Sequence, residues 1–294
     1  MREVPEVPLP EGQLRVLISS DTATEVDDQH AIVYALLAPE RFLIEGFVGT
    51  HFGESGGPTG AQKSCDEIST ILEKMGFDDT FAIRKGGDPL QYTTKAEQSA
   101  GADFIVQRAH AEEDQPLYVM GLGAATDIAS AYLKDPSIKD RIVVVWHGRT
   151  KWPDKAWNFN VHNDLKAAQV LFRSQLPLIL FDTVTFLYCP YAESTKRISP
   201  CGRIGKYLHE IRSRKPRFQS DDKAMFDMGD IAFALNASWC KWEEVDAPDV
   251  RVDYSYDFSV NHGPIIRVYD VDRLAVFEDF YQRLKDFSEC GDQS

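Results

Sequence analysis

The sequence predicts an α/β fold: a doubly wound, mainly parallel open sheet with a more helical C-terminal part. Between residues 14 and 181, short runs rich in β-branched residues alternate with segments that repeat apolar residues at helical spacing. This alternation is typical of right-handed βαβ units, which place successive strands in parallel. Because no internal repeat or low-complexity linker interrupts the pattern, we expect a single domain over residues 1–294, with residues 1–12 as a loose, proline-rich leader.

The elements can be placed in order along the chain. The runs expected to form strands are Val16 to Ser20, Phe42 to Val48, Leu117 to Met120, Ile142 to Trp146 and Pro177 to Phe181. The helices expected with them are Asp27 to Leu37, Gly60 to Met75, Thr126 to Leu133 and Asp164 to Phe172. After residue 186 the pattern becomes more helical, with segments at Ile204 to Arg212, Lys223 to Leu235 and Val271 to Leu284.

Composition limits the possible functions. A chain of 294 residues with 43% hydrophobic content can bury a large core. A formal charge of -14 argues against a nucleic-acid polymer as partner, because binding to phosphate backbones needs clustered Lys and Arg. No run approaches the ~18 to 20 apolar residues of a membrane span. The five scattered cysteines form neither a zinc motif nor a disulfide framework, which favours a reducing, cytoplasmic setting.

Three carboxylates surround the start of the first helix. Asp21 follows the first strand, at the edge where open α/β sheets bind their ligands, and Asp27 and Asp28 begin the helix. One such acid is most simply a helix cap or a first-turn acid, worth roughly 0.3 to 1 kcal/mol. Three acids so close together repel one another, so the cluster favours a cation or substrate site.

Three more segments offer polar groups at the ends of predicted elements. A glycine-rich turn at Gly121 to Gly123 leads into the helix at Thr126, without the spacing of a dinucleotide or triphosphate cradle. The segment WNFNVHND places Trp157, Asn158 and Asn160 in a loop before the predicted helix cap Asp164. Asparagines there suit either sugar hydroxyls or ordinary turns.

The fourth segment, KAMFDMGDIAFALN, places Asp227 and Asp230 on one helical face among apolar residues, where a buried acid needs a partner.

Together, the four segments resemble the inosine-uridine-preferring nucleoside hydrolases in order and spacing, from about Leu14 to the terminal DRLAVFEDFYQRL. The resemblance implies an N-glycosidase that splits ribonucleosides or related N-ribosides into ribose and free base. It also implies a Ca²⁺ cofactor and a homodimer or homotetramer.

The resemblance assigns roles to individual residues. It implies that Asp21 is both a Ca²⁺ ligand and the base that activates water. It implies further metal ligands at Asp28, at the backbone carbonyl of Thr126 and at Asp227. Asp27 then matches the acid that binds ribose hydroxyls, and Asn160 matches an asparagine that hydrogen-bonds the sugar.

The turn after the first strand departs from the usual family motif. It is two residues longer, in a form close to DTxxxExDD that indicates a divergent branch in which Glu25 is part of the turn. We prefer the register that places Ser19 at the family's first Asp and Asp21 at its second, because it aligns the strand without a gap. The rival register places Ala23 at the base position and predicts an inactive protein.

Two further departures concern the ends of the substrate. Asn158 replaces a Glu that contacts the sugar 5'-hydroxyl, and Phe226 precedes Asp227 where many members carry a leaving-group His. His51 and His147, each just past a predicted strand, are the candidates for that acid. Trp157 and Phe226 are candidates for stacking on the base. The alternative hypothesis is a non-catalytic ribosyl-binding protein that retains the metal site.

Overall fold

The computed structural model describes residues 2–9, 11–148, 151–182 and 186–291 and confirms the predicted fold class. Its strands are β1 (Leu14–Ser20), β2 (Phe42–Gly49), β3 (Ile83–Lys85), β4 (Leu117–Gly121), β5 (Ile142–Trp146), β6 (Leu178–Phe181), β7 (Cys240–Asp246), β8 (Asp249–Val250), β9 (Tyr256–Asp257) and β10 (Pro264–Val271). Its α-helices are α1 (Asp27–Leu36), α2 (Gly53–Gly56), α3 (Gly60–Met75), α4 (Ala100–Ala109), α5 (Thr126–Lys134), α6 (Phe159–Asn163), α7 (Leu165–Arg173), α8 (Tyr191–Glu193), α9 (Gly202–Ser213), α10 (Met228–Leu235) and α11 (Arg273–Gly291).

The eight-stranded sheet has the order β3-β2-β1-β4-β5-β6-β10-β7, and β8 pairs with β9 separately. Its neighbouring strands are parallel, except that β7 runs antiparallel to β10 at one edge. The chain leaves β1 towards β2 on one side and later returns to β4 on the other. The strand order therefore reverses at β1, and a ligand crevice is expected at the carboxyl ends of β1 and β4.

The core lies on both faces of the sheet. In β1, Val16 and Ile18 belong to one apolar cluster and Leu17 to the other, and none of the three is exposed. Strands buried on both faces carry nearly continuous apolar runs, which is why β1, β4 and β5 were recognisable from sequence.

The C-terminal part differs from expectation in two places. The helix expected from Lys223 begins only at Met228, so Asp227 lies just before α10. The segment Pro264–Val271 forms β10, which extends the sheet from β6 and pairs with the exposed edge strand β7. Both strands depend on pairing partners far away in sequence, and β7 carries mostly exposed polar residues with no apolar run to mark it.

The leader has no helix or strand over residues 2–9, yet it is packed on the domain. The buried Arg2 guanidinium donates to the carbonyls of Leu171, Phe172 and Ser174. Arg41 similarly donates to the Leu9 carbonyl. These contacts hold residues 2 and 9 of the leader against the domain.

None of the described helices combines the length and apolar character needed to cross a membrane.

Candidate active site

A cavity of about 600 Å³ opens at the carboxyl edge of the sheet, beside the reversal of strand order. Four carboxylates line it: Asp21, Asp27, Asp28 and Asp227. None of the four residues is more than 6% exposed. The acids that the sequence placed around the first helix are thus joined by one from a segment 200 residues away.

Local backbone geometry brings these acids together. Asp21 directly follows β1, and its carboxylate lies against Gly123, where an added Cβ would come within 2.8 Å of Oδ1. A side chain at Gly123 would displace this acid, which explains the glycine of the second motif. Asp27 and Asp28 are the first residues of α1, which packs against α10, and Asp227 immediately precedes α10.

Only Asp27 of these four acids has a Lys or Arg partner within 4 Å among the described residues. Asp28 Oδ1 accepts a hydrogen bond from Ser20 Oγ at 2.6 Å, whereas Asp21 Oδ2 is buried without a hydrogen-bond partner among the described residues. Burial raises the pKa of Asp28 to about 7, and it raises those of Asp21 and Asp227 well above their usual range. Repulsion between the neighbouring carboxylates adds to each shift.

Such a cluster fits a hard divalent cation. Carboxylate oxygens of Asp27, Asp28 and Asp227 lie within 4.8 Å of one another, and the unpartnered Asp21 oxygen lies in the same cavity. A set of oxygen ligands suits Ca²⁺ better than Zn²⁺, which favours His and Cys. The geometry includes Asp27, the acid that the resemblance assigns to ribose, among the possible cation ligands.

Thr126 does not line this cavity, contrary to its expected role as a carbonyl ligand. It is the first residue of α5, and its hydroxyl donates to Asp164 Oδ2 at 2.7 Å. The residue of this turn that lines the cavity is Leu122. The Leu122 carbonyl, just past β4, accepts a hydrogen bond from Asn160 Nδ2 at 2.7 Å. The difference arises because the chain turns away from the cavity between β4 and α5.

Asn160 and Asn158 both lie in the cavity wall, as expected from sequence. Asn160 Nδ2 donates to the carbonyls of Leu122 and His147, which directs its Oδ1 elsewhere. Asn158 is the N-cap of α6, and its Oδ1 accepts from the Val161 amide. Its buried Nδ2 has no hydrogen-bond partner among the described residues.

Of the two candidate histidines, His147 lies in this cavity. Its Nδ1 is 2.7 Å from Asp230 Oδ2 and 3.8 Å from Asp227 Oδ1. Its buried Nε2 has no described hydrogen-bond partner. The ring of Phe226, which also lines the cavity, lies 6.0 Å from the imidazole. His147 and Phe226 therefore lie close together in the cavity wall.

His51 and Trp157 lie outside this cavity. His51 lines a neighbouring cavity of about 790 Å³, and both its nitrogens are occupied: Nε2 by Thr126 Oγ1 at 2.7 Å and Nδ1 by the Gly53 amide at 3.1 Å. Burial lowers the pKa of His51. Trp157 is 50% exposed, because the chain runs extended through the Asn158 cap and leaves the indole outside.

Sequence reasoning missed several basic residues. Lys223 is buried beside the acids, with Nζ 3.5 Å from Asp27 Oδ1. Lys63, Lys215 and Arg217 line the cavity as exposed side chains. No local pattern marks Lys223, since its partners come from a turn about 200 residues earlier.

An acidic pocket at the carboxyl edge of a parallel sheet, walled by amides, a histidine and an aromatic ring, is typical of an α/β enzyme acting on a small polar molecule. Comparison with known proteins makes this class specific. Residues 16–265 match the family model described as inosine-uridine preferring nucleoside hydrolase. The chain therefore belongs to that family of N-glycosidases, as the four sequence segments indicated.

Individual relatives are distant in sequence. The chain is 22% identical over 222 residues to the pyrimidine-specific ribonucleoside hydrolase RihA of Escherichia coli strain SMS-3-5, covering 68% of this chain and 71% of the relative. Among solved structures, it is similar to a purine-preferring ribonucleoside hydrolase from Gardnerella vaginalis, with a TM-score of 0.76 and 21% identity over 94% of this chain and 99% of the other. A plant nucleoside hydrolase, PpNRh1, gives a TM-score of 0.70 and 17% identity over 92% and 99% of the two chains.

Proposed function

We propose that the protein hydrolyses the N-glycosidic bond of ribonucleosides in a Ca²⁺-dependent reaction that releases ribose and the free base. One observation carries the proposal: four buried carboxylates, of which only Asp27 has a Lys or Arg partner among the described residues, line a cavity large enough for a nucleoside. Family membership supplies the reaction class, and the acids supply the reason for a cation.

Asp21, Asp28 and Asp227 would hold the ion, in keeping with the unpartnered Asp21 oxygen and the raised pKa values of these acids. When bound, Ca²⁺ supplies a positive charge that orients ribose hydroxyls and makes water easier to deprotonate. Thr126 is not part of this proposed ligand set, because it does not line the cavity.

The chain's own residues account for the sugar half of the reaction. Asp21 accepts the proton of the attacking water, and such general-base help is worth roughly 10² to 10⁴-fold. Asp27 accepts a hydrogen bond from a ribose hydroxyl. Asn160, whose amide hydrogens are given to two carbonyls, offers Oδ1 to another hydroxyl. Asn158 offers its unpartnered Nδ2 to a sugar oxygen.

Departure of the base is assigned to His147 and Phe226. The sugar becomes cationic as the glycosidic bond breaks, and the base leaves with negative charge. As an imidazolium, His147 gives its Nε2 proton to that base and becomes a neutral imidazole, while Nδ1–H donates to Asp230 Oδ2 and fixes the ring. Phe226 packs beside the base. His147 thus replaces the histidine expected at the position of Phe226.

A ribosyl-binding protein without turnover is the second candidate, favoured by the substitutions at Ser19, Asn158 and Phe226. It would bind the same ligands in the same cavity, since the four carboxylates are present in either case. Only product formation separates the two functions.

The test is release of reducing sugar from a panel of purine and pyrimidine nucleosides, with added Ca²⁺ and again with EDTA. Both base classes belong in the panel, because the relatives differ in the bases their names specify. Release that chelation abolishes and Ca²⁺ restores is the expected result. Tight nucleoside binding with no product after long incubation would instead establish the binding protein.

A further inference from the structure

Lys223 is a buried cation with three oxygen partners. Its Nζ donates to the Ala224 carbonyl at 2.6 Å and lies 2.9 Å from Glu25 Oε2 and 3.5 Å from Asp27 Oδ1. Only 7% of the side chain is exposed. Glu25 belongs to the lengthened turn between β1 and α1, so that turn supplies one of the two carboxylates that hold the lysine.

Lys223 contacts Asp27 without lining the cavity. Asp27 lines the cavity, whereas Lys223 does not. The ammonium group therefore contacts two carboxylates of the cavity wall, Glu25 and Asp27, without lining the cavity itself, and Asp27 is the one of the two that belongs to the acid cluster. Burial alone would lower the pKa of Lys223, but Asp27 and Glu25 raise it above its usual value, which keeps the lysine charged.

This contact distinguishes Asp27 from the acids beside it. Asp27, Asp28 and Asp227 are close enough to share one cation, so proximity alone does not separate a metal ligand from a sugar ligand. The contact with a lysine does separate them. In the described part of the chain, Lys223 is the one Lys or Arg within 4 Å of any of the four carboxylates. Of those four, it contacts only Asp27.

We propose that Lys223 is a positioning residue that reserves Asp27 for a ribose hydroxyl and keeps it out of the metal coordination. With a lysine already beside it, Asp27 gains less from a cation than Asp28 or Asp227 does, and its carboxylate stays available as a hydrogen-bond acceptor held in place by Lys223. The inference rests on the proposed function, because it assumes that a divalent cation and a riboside share the cavity.

The test is a double-mutant cycle on Ca²⁺ affinity, measured by calorimetry on the metal-free full-length protein. Lys223→Met frees Asp27 to join the ion, so we expect Ca²⁺ to bind about tenfold more tightly while KM for a nucleoside rises about tenfold and kcat changes little. Lys223→Arg keeps the charge and restores most of both values. Lys206→Met, on the exposed face of α9, is the charge-matched control and changes neither.

Asp27→Asn completes the cycle. If Lys223 acts through Asp27, Asp27→Asn alone changes Ca²⁺ affinity by less than about threefold, and Lys223→Met has no further effect in that background. If Lys223→Met still tightens Ca²⁺ binding in the Asp27→Asn background, Lys223 acts only as a long-range charge and the proposal is overturned. So would weaker or unchanged Ca²⁺ binding in Lys223→Met, or a loss of Ca²⁺ affinity in Asp27→Asn as large as in Asp28→Asn.

Two provisions keep the outcome decisive. Circular dichroism checks the fold of each variant, and Lys223→Gln, which retains a donor for the Ala224 carbonyl, replaces Lys223→Met if the methionine variant does not fold. If the unmodified protein binds Ca²⁺ but shows no turnover, the Kd of a nucleoside replaces KM. In that case the hydrolase proposal fails while the role of Lys223 is still tested.

Discussion

Two groups of buried acids lie at the carboxyl edge of the same sheet, and they differ in what surrounds them. In the first group, Asp21, Asp27, Asp28 and Asp227 line a cavity together. In the second, Asp164 accepts hydrogen bonds from the Leu90 and Ala167 amides and from the Thr126 hydroxyl. Its neighbour Asp127 accepts from Ser99 Oγ and the Gly87 amide.

The difference separates structural acids from functional ones. Asp164 has donors on both oxygens and ties α7 to the segment before α4 and to α5. The acids of the first group instead lie close together in a cavity, where burial and then repulsion between carboxylates raise the pKa values of Asp21, Asp28 and Asp227. Burial and acidity alone therefore do not identify a ligand site here. The cavity that the four acids share, and the close approach of several carboxylates within it, do.

The largest effect on turnover is expected from removing one acid of the first group. Asp21→Ala and Asp227→Ala should each lower kcat for a nucleoside by at least about 10²- to 10⁴-fold, because they remove the proposed base or a cation ligand. The metal-free proteins should be no less stable than the unmodified chain, since each loses a repelled carboxylate. Activity assays with thermal melts check both statements, and undiminished turnover in either variant would refute the assignment.

The two histidines form a matched pair, one beside each group. His147→Gln should lower kcat by roughly 10²-fold on natural nucleosides, but hardly at all on a nitrophenyl riboside whose leaving group needs no protonation. His51→Gln should leave kcat nearly unchanged and cost about 1 kcal/mol of stability, because it disturbs the bond to Thr126. Equal losses on both substrates would show that His147 does not assist the leaving group.

Removing the structural acid should act on stability. Asp164→Ala loses the cap of α7 and leaves the buried Leu90 amide without its acceptor, so we expect the free energy of unfolding to fall by about 2 to 4 kcal/mol. Urea denaturation measures the loss. Turnover per folded molecule should stay close to that of the unmodified chain. A specific loss of Ca²⁺ affinity would instead show that Asp164 belongs with the functional acids of the first group.

Asp127 gives a smaller, pH-dependent effect. Burial raises the pKa of this carboxyl to about 6, above its value in the unfolded chain, so its contribution to stability is present below about pH 4 and is lost as the pH rises through 6. Asp127→Asn removes that loss. Relative to the unmodified chain, the variant should gain on the order of 2 to 3 kcal/mol between pH 4 and pH 8. A difference in unfolding free energy that does not change with pH would contradict this reading.

The sequence contained most of the information needed to place the acids. Asp21 followed a recognisable buried strand, Asp27 and Asp28 began a helix with a clear apolar face, and Asp164 is the helix cap that its position predicted. Each of these features depends on neighbours within a few residues. The resemblance to the family then connected Asp227 to the same site.

Features that depend on distant contacts could not be predicted. Lys223 has no local signal, because its role comes from Glu25 and Asp27. Thr126 was assigned from a motif, but the backbone path after β4 brings Leu122 to the cavity instead. Trp157 has the chemistry of a stacking residue, and only the fold shows that its ring lies outside the cavity.

The most direct test of the central claim is to locate the cation. Crystals of the full chain grown with Mn²⁺ in place of Ca²⁺ would give an anomalous difference map that shows the ion by its own scattering. The account predicts one strong peak among the carboxylates of Asp21, Asp28 and Asp227 and none beside Asp127 or Asp164. An empty first group, or a peak at the second, would contradict the account.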